Sequence, residues 1–256
     1  MLVFYGVGSF FKKNRDSVFG GCGNCDYYGR LLCYDATRCF WVYWVPLIPL
    51  GRKHVLGECP KCNSARMMPL KAWRKGRDEE VPAVIERLDA SPTDREVVAE
   101  ALSLSMAYHH RDAFVSVALP IETNFGDDAE MMGELGDGYA FFGMTDEAET
   151  AYRTALEFAD TSARRSSLIG HLLGTGRAEE AFDLAQPLVD SPDAGAAPGL
   201  LMLGETAHNG GRDDLALALF DAAREAMPQF DEDKAFRKLY RKVAKRARRA
   251  AKAQAE

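Results

Sequence analysis

Cys22-Gly-Asn-Cys25 and Cys59-Pro-Lys-Cys62 are two Cys-x-x-Cys pairs that flank the most informative part of this sequence. In a tight turn this spacing brings two sulfurs to one metal ion, and two such pairs supply the four thiolates of a tetrahedral structural site. Four sulfurs close the coordination shell, whereas a catalytic zinc keeps one position open for water. The spacing therefore predicts a structural Zn²⁺ bound by Cys22, Cys25, Cys59 and Cys62, with iron as an alternative ion that four thiolates also accept.

All six cysteines of the 256-residue chain lie between Cys22 and Cys62. The first residues of the chain lack the basic segment and cleavage site of an export signal, so the paired cysteines favour metal binding in a reducing compartment, and we expect a cytoplasmic protein. Cys33 and Cys39 fall outside the pairs. They are either alternative ligands or a redox pair, or else small buried hydrophobic residues on neighbouring strands. Burial is favoured, because the gap between them suits neither a Cys-x-x-Cys turn nor a ligand pair on a helix.

Between the two pairs the sequence has the composition of β-strands. Residues 31–34 and 40–45 are rich in aromatic and branched side chains, and residues 35–38 between them are a plausible turn. The most apolar run, residues 39–50, is shorter than the ~20 residues of a membrane span and contains proline. We therefore expect a buried strand with aromatic packing there, and no membrane span.

This part of the chain resembles a small bacterial zinc-ribbon family. The shared pattern is an apolar first strand, a Cys-x-x-Cys pair, an aromatic strand that runs into Val45-Pro-Leu-Ile-Pro-Leu-Gly-Arg-Lys53, and a second pair, and it covers residues 1 to about 70. The resemblance implies that the four paired cysteines hold structural zinc, and it brings no established catalytic activity. Zinc would supply free energy that so small a domain cannot obtain from its own core.

Residues 71–80, Lys-Ala-Trp-Arg-Lys-Gly-Arg-Asp-Glu-Glu, are rich in charge and contain a glycine, which predicts a hinge between two domains. The acidic residues at its end, followed by Val81-Pro82, are typical of a helix start. We therefore assign residues 1–73 to the zinc ribbon and residues 74–94 to a linker with a lead-in helix.

A repeat of about 34 residues follows. Its clearest copy consists of the large and small residues Met132, Leu135, Gly136, Tyr139, Gly143, Ala148, Tyr152 and Ala155. Two periods later the matching residues are Leu203, Gly204, Ala207, Gly211, Ala216, Phe220 and Ala223. A weaker copy lies between them and has slipped by one residue at residues 174–176, and a degenerate copy precedes all three.

These positions resemble the tetratricopeptide repeat over residues 95–230, in roughly four units. The sequence departs from the motif at Met132, where the repeat usually has tryptophan. The resemblance implies paired helices that stack into a solenoid, with a groove that receives a protein partner.

Residues 231–256 are predicted to form a basic capping helix and tail. An apolar stripe that includes Phe236 and Val243 has helical spacing and should cover the last repeat. Basic residues run from Lys234 to Lys252 without an acid between Lys234 and Gln254. This surface is either simply solvated, which is favoured, or it contacts nucleic acid, an acidic protein or an anionic membrane surface. An internal contact with the acidic faces of the repeats is a further alternative.

The remaining histidines and serines show no catalytic pattern. His109 and His110 are adjacent and would point about 100° apart on a helix, so we expect one to be half-buried and one solvated. We expect His54 to be exposed or hydrogen-bonded rather than a ligand, and His171 and His208 to lie at the surface. No nucleophile elbow and no phosphate-binding loop is present, so the sequence predicts no active site.

The predicted fold is multidomain, with a small β zinc ribbon followed by an all-α tetratricopeptide-like solenoid and a C-terminal capping helix. The favoured function is a non-enzymatic adaptor that binds a protein partner through the repeat groove. The first alternative is a nucleic-acid-associated protein that uses the ribbon and the basic helix, although the net charge of −6 gives it no general support. The last is a redox or metal-handling enzyme that uses Cys33 and Cys39.

Overall fold

The computed structural model describes residues 4–25 and 27–254, apart from the side chains of Tyr28 and residues 250–254. These residues form two compact units. The first comprises the described residues as far as Gly126 together with Glu134–Glu147, and the second comprises Asp127–Gly133 and the described residues from Ala148 onward. The domain limits predicted from the sequence stay predictions.

The first unit begins with a four-stranded antiparallel sheet in which each strand pairs with the next one along the chain. The strands are β1 (Tyr5–Gly21), β2 (Tyr28–Val42), β3 (Val45–Glu58) and β4 (Ala65–Pro69). Val18, Leu31, Cys33 and Cys59 form a small core near one end of the sheet. The expected β-sheet ahead of the helices is therefore present.

The chain reverses at a different place from the turn predicted at residues 35–38. Those residues continue β2, and the reversal is a two-residue turn at Tyr43-Trp44 between the paired residues Val42 and Val45. Asp35 is accommodated inside the strand because the side chains of Asn14 and His54 hydrogen-bond to its carboxylate. A long-range contact thus overrides the local turn preference.

The apolar run at residues 39–50 is not the one buried strand that was predicted: it consists of the end of β2, the turn at Tyr43-Trp44 and the first part of β3. The expectation that it is buried is also wrong. Trp44 is 67% exposed and Leu47 is 57% exposed. One reason is that β4 pairs only with the part of β3 that begins at Lys53, so the earlier part of β3 is an edge. Within the described ranges, no helix combines the length and the apolar character needed to cross a bilayer.

The segment predicted as a hinge is helical. It contains α1 (Leu70–Lys75) and a π-helical turn (Gly76–Glu80), and it leads into α2 (Val81–Ala90). Trp73 is 4% exposed and fixes the segment in the core. Gly76 serves close packing here, because a Cβ atom on it would lie 1.9 Å from the ring of Tyr108.

Helix pairs make up the rest of the chain. The bounds are α3 (Arg95–Ala107), α4 (Arg111–Asn124), α5 (Ala129–Phe141), α6 (Thr145–Phe158), α7 (Ser162–Gly174), α8 (Ala178–Leu184), α9 (Gln186–Asp190), α10 (Ala197–Asn209), α11 (Asp213–Ala226) and α12 (Lys234–Gln254), with a 3₁₀ turn (Pro228–Glu232) before α12. The first helices of the pairs, α3, α5, α7 and α10, begin at residues 95, 129, 162 and 197, at intervals of 34, 33 and 35. The second helices, α4, α6, α8 and α11, begin at the same intervals. The prediction of helical repeats of about 34 residues is confirmed, and the one-residue shift falls in the copy whose sequence had slipped.

The residues that define the repeat form the cores of the helix pairs. Tyr152 in α6 and Phe220 in α11 are buried, as are the alanines Ala148 and Ala216 one turn before them. At the crossing of α10 and α11, Gly204 lies against the ring of Phe220. Small residues therefore allow the close helix approach that the pattern indicates.

Candidate metal centre

The four paired cysteines lie in the loops at one end of the sheet. Cys22 directly follows β1 and Cys59 directly follows β3, so antiparallel pairing places the β1–β2 and β3–β4 loops side by side. The amide of Cys22 donates to the carbonyl oxygen of Tyr27 at 2.8 Å, and the amide of Cys59 donates to that of Ser64 at 2.9 Å. Each hydrogen bond closes a tight loop around its Cys-x-x-Cys pair.

The sulfur atoms have the spacing of a tetrahedral four-thiolate site. Cys22 Sγ lies 3.6 Å from Cys62 Sγ, and Cys25 Sγ lies 3.7 Å from Cys59 Sγ. All four sulfurs lie within 4.8 Å of one another. A tetrahedron with Zn–S bonds of about 2.3 Å has edges of about 3.8 Å, whereas a disulfide joins its sulfurs at about 2.05 Å. The residues present therefore fit a four-coordinate metal ion, and the cysteines are free thiols.

Polar groups around the sulfurs favour negative charge on part of the set. The amide of Ser64 lowers the pKa of Cys62 to about 6, and Asn24 adds a side-chain donor 3.7 Å from the same sulfur. For Cys25 the amide of Tyr27 acts in the same direction, but burial and the neighbouring thiols outweigh it and raise the pKa to about 12. A bound dication would remove this difference between the pKa values of the cysteines, because it favours the thiolate at every sulfur.

Cys33 and Cys39 lie outside the cluster, and both are buried. They belong to one strand and are six residues apart, a separation of about 20 Å at 3.3 Å per residue. Disulfide formation requires Cα atoms within about 7 Å, so the two do not form a redox pair with each other. The favoured interpretation is confirmed for burial, but the expected placement on neighbouring strands is wrong, because both cysteines lie on β2.

A second group of polar residues converges on the sheet in the first unit. His54 is buried, 6% exposed, and its Nδ1 lies 2.8 Å from Asp35 Oδ1. Asn14 donates to the other carboxylate oxygen, and the ring of Trp73 stacks on His54 at 3.8 Å. The prediction that His54 is hydrogen-bonded is confirmed, but the alternative of an exposed side chain is wrong.

These residues line a cavity of about 430 Å³, which also contains His109. Burial, together with the nearby His54, lowers the pKa of His109 to about 4, so that imidazole is neutral at pH 7. Cys33 lines the same cavity, but burial raises its pKa to about 12, which keeps it a protonated thiol and a poor nucleophile. Sequence reasoning missed this group, because its members are far apart in the chain. The only local signal is the polar Asp35 within an apolar strand.

Of His109 and His110, one was expected to be half-buried and one solvated; both are half-buried, so the expectation holds for one and is wrong for the other. His110 caps α4, where its Nδ1 accepts from the amide of Ala113 at 3.2 Å. His171 and His208 are both buried, and His208 pairs with Asp213. The prediction of surface histidines at 171 and 208 is wrong, because both fall on the core face of a first helix.

The basic C-terminal helix α12 caps α11 as predicted. Phe236 and Val243 are buried, and the rings of Phe236 and Phe220 lie edge to face at 5.7 Å. Exposed cations occupy the opposite side of α12: Arg241, Lys242, Lys245, Arg248 and Arg249. Arg246 instead pairs with Asp213 at 3.1 Å. The side chain of Lys252, where the predicted basic surface ends, lies outside the described residues.

Comparison with solved structures supports the helical-repeat fold. The structure matches "Crystal structure of MamA" with a TM-score of 0.50 and 16% identity, over 65% of this chain and 99% of that chain. A second MamA structure matches with a TM-score of 0.49 and 15% identity, over 64% and 94% of the two chains. "Crystal structure of YrrB: a TPR protein with an unusual peptide-binding site" matches with a TM-score of 0.44 and 18% identity, over 58% and 76%.

At these identities the match to MamA shows a tetratricopeptide-like fold alone. No family model matches the sequence. No curated protein matches it either.

Proposed function

We propose that this protein is a non-enzymatic adaptor, in which a structural zinc ribbon accompanies a helical-repeat surface that binds a protein partner. The observation that carries the proposal is the array of four helix pairs, which repeat every 33–35 residues with their defining residues buried. In arrays of this kind the core residues hold neighbouring helices together, and the exposed side chains are free to vary for recognition.

The metal centre supports a structural role. Cys22, Cys25, Cys59 and Cys62 would hold Zn²⁺ with four sulfurs, which leaves no position for a reacting water. The metal would tie together two loops that the sheet brings close but that share little core of their own. The proposal places the protein in a reducing compartment such as the cytoplasm, because these thiols must stay reduced to bind metal.

The first helices offer a surface that can be tested. On α10, Leu201 and Glu205 lie four residues apart, one turn of helix, and both are partly exposed. The adjacent Met202 contacts the neighbouring first helix at Gly170. Leu201 is therefore a position where a charge can disturb a bound partner without replacing that inter-helix contact.

The decisive experiment is cross-linking of the full chain in its native host, followed by identification of the linked peptides after nuclease treatment. We expect one protein to be linked to α10, to be lost in Leu201→Arg and to be retained in Glu225→Arg, a control at an exposed position of α11. Retention of that protein in Leu201→Arg, or the absence of any nuclease-resistant link to the repeats, would contradict the adaptor function.

A second candidate function is binding to nucleic acid through α12, which the exposed cations Arg241, Lys245 and Arg248 favour. Their spacing of four and three residues places them on one face of the helix. Truncation of α12 is a poor test, because it would expose the buried ring of Phe220. The better variant changes these three residues to Gln and leaves the apolar stripe intact. Binding of RNA or DNA that falls steeply with salt and disappears in this variant would support the alternative, and its absence would reject it.

A further inference from the structure

The end of the sheet opposite the metal centre is apolar and exposed. This hydrophobic tip consists of residues 4–11 and 39–51, and it contains no charged residue. Its exposed large side chains are Phe4, Tyr5, Val7, Phe11, Tyr43, Trp44, Val45, Leu47, Ile48 and Leu50, each between 41% and 68% exposed. Exposed apolar residues are normal when they are scattered, but a continuous group of this size marks an interaction surface.

The turn at the end of the tip is conformationally unfavourable for its residues. Tyr43 has φ 48° and Trp44 has φ 64°, both in the left-handed region. Two-residue hairpin turns of this kind favour Asn-Gly, since bulky residues are strained at positive φ. Strain of this sort persists where the side chains have a role, so the two aromatic rings call for an explanation beyond folding.

The aromatic rings of the tip are organised rather than loose. Trp44 stacks on Trp41 at 6.1 Å and on Phe4 at 5.9 Å. The ring of Trp41 lies over Gly6, where a Cβ atom would come within 2.8 Å of it. The glycine therefore makes room for an indole ring on the strand surface, and the rings form one preassembled apolar end.

A belt of cations surrounds the base of the tip. Lys12 and Lys13 follow its β1 segment, Arg38 precedes its β2 segment, and Arg52 and Lys53 follow its β3 segment. The register places Arg52 opposite Thr37, the neighbour of Arg38, and Lys13 opposite Asp35, so these three cations fall within about 10 Å along β2. Lys13, Arg38 and Arg52 are exposed, and none of the three has an ion pair among the described residues.

We propose that the hydrophobic tip inserts into the surface of an anionic lipid bilayer. Tryptophan and tyrosine favour the interface between water and lipid, and a ring of Lys and Arg at the same depth is attracted to anionic headgroups. From Arg38 to the end of β2 at Val42 the strand extends about 13 Å at 3.3 Å per residue, which is shorter than one leaflet with its headgroups. The tip thus anchors the protein to one face of a membrane and does not span it.

The belt of cations favours a lipid bilayer over the other partners that could cover an apolar surface. A second copy of this chain would bring the same five cations against their counterparts, and like charges at matching positions oppose such pairing. The edge of β3 within the tip carries Pro46 and Pro49, which lack the amide hydrogens that a new strand would need. The other backbone groups on this edge have no partner strand, which favours shallow insertion. At the interface they can still form hydrogen bonds to water and lipid headgroups.

The test is co-sedimentation of the full zinc-loaded chain with vesicles of phosphatidylcholine, with and without phosphatidylserine. The turn variant combines Tyr43→Asn with Trp44→Gly, which removes both rings and supplies the residues that this turn prefers. Its hairpin should therefore fold at least as readily as that of the parent. Far-UV circular dichroism and zinc content check that the variant is folded. We expect the parent to bind the anionic vesicles and the turn variant to bind them roughly tenfold or more weakly. Lipids brominated in the acyl chain should quench the tryptophan fluorescence of the parent.

A matched pair of charge variants separates the belt from the basic helix. Lys13→Gln, Arg38→Gln and Arg52→Gln together should weaken binding roughly tenfold. Arg241→Gln, Lys245→Gln and Arg248→Gln remove the same number of cations from α12 and should leave vesicle binding unchanged. The proposal is overturned if anionic vesicles do not bind the parent, if the turn variant binds like the parent, or if only the α12 variant loses binding. It is also overturned if the parent chain forms a dimer that the turn variant does not form, while neither protein binds vesicles.

Discussion

Replacing Gly204 with alanine tests the close packing of α10 against α11. The added Cβ atom would lie 2.4 Å from Phe220 Cε1 and 2.7 Å from Cδ1. The ring cannot retreat easily, because it is fully buried and packs edge to face on Phe236. Overpacking of this kind costs about 1–3 kcal/mol, and the better helix propensity of alanine returns about 1 kcal/mol. We therefore expect a net loss of up to about 2 kcal/mol.

Gly133→Ala is the matched control. Gly133 lies in helix α5 and belongs to the same compact unit, but a Cβ atom there would meet nothing within 4 Å. The same substitution should therefore stabilise the protein, by up to about 1 kcal/mol from helix propensity alone. The two variants are compared by urea denaturation followed by circular dichroism at 222 nm, a wavelength chosen for helix.

A double variant identifies the contact that is responsible. Phe220→Leu shortens the side chain that meets the new methyl group, so Gly204→Ala should cost less in the Phe220→Leu background than in the parent. Equal costs in both backgrounds, or stabilisation by Gly204→Ala alone, would refute the argument that this glycine exists to admit the ring.

Three further predictions concern the metal centre, a buried histidine and a surface ion pair. Cys59→Ser should reduce bound zinc to well below one ion per chain, whereas Cys33→Ser should leave it unchanged, as elemental analysis of the purified protein will show. His109 has a pKa of about 4 in the fold and an ordinary pKa of about 6.5, so between these values it gains a proton on unfolding. Acidification through this window should therefore reduce stability by an amount on the order of 3 kcal/mol, while stability above it is unaffected. His109→Asn, which suits the positive φ at this position, should flatten that part of the pH profile of the unfolding free energy, and an unchanged profile would contradict the assignment. Glu149→Gln should cost about 1 kcal/mol or less in urea denaturation, because its pair with Arg177 lies at the surface, and a loss of several kcal/mol would show that the pair is effectively buried.

The clustering of the four paired cysteines was the part of the candidate site that the sequence predicted best. The spacing Cys-x-x-Cys fixes two sulfurs within one turn, so only the meeting of the two pairs depends on the fold. The antiparallel sheet places the two loops next to each other, and Cys25 Sγ lies 3.7 Å from Cys59 Sγ. The group around His54 could not be predicted in the same way. Asp35, His54 and His109 are brought together by strand register and by the end of α3, and no local spacing encodes that meeting.

The sequence by itself determined the cysteine pairs and the repeat period, because both are local patterns in which each residue constrains neighbours a few positions away. The intervals of 34, 33 and 35 residues between first helices follow directly from that pattern, including the slip in the third copy. Only the tertiary structure decided that residues 35–38 are strand, that Gly76 packs beneath Tyr108 and that the aromatic run around Trp44 is exposed. Each of these depends on what lies across the sheet or helix from the residue. Composition shows that a segment is apolar, but the partners available to the folded chain decide whether it is covered.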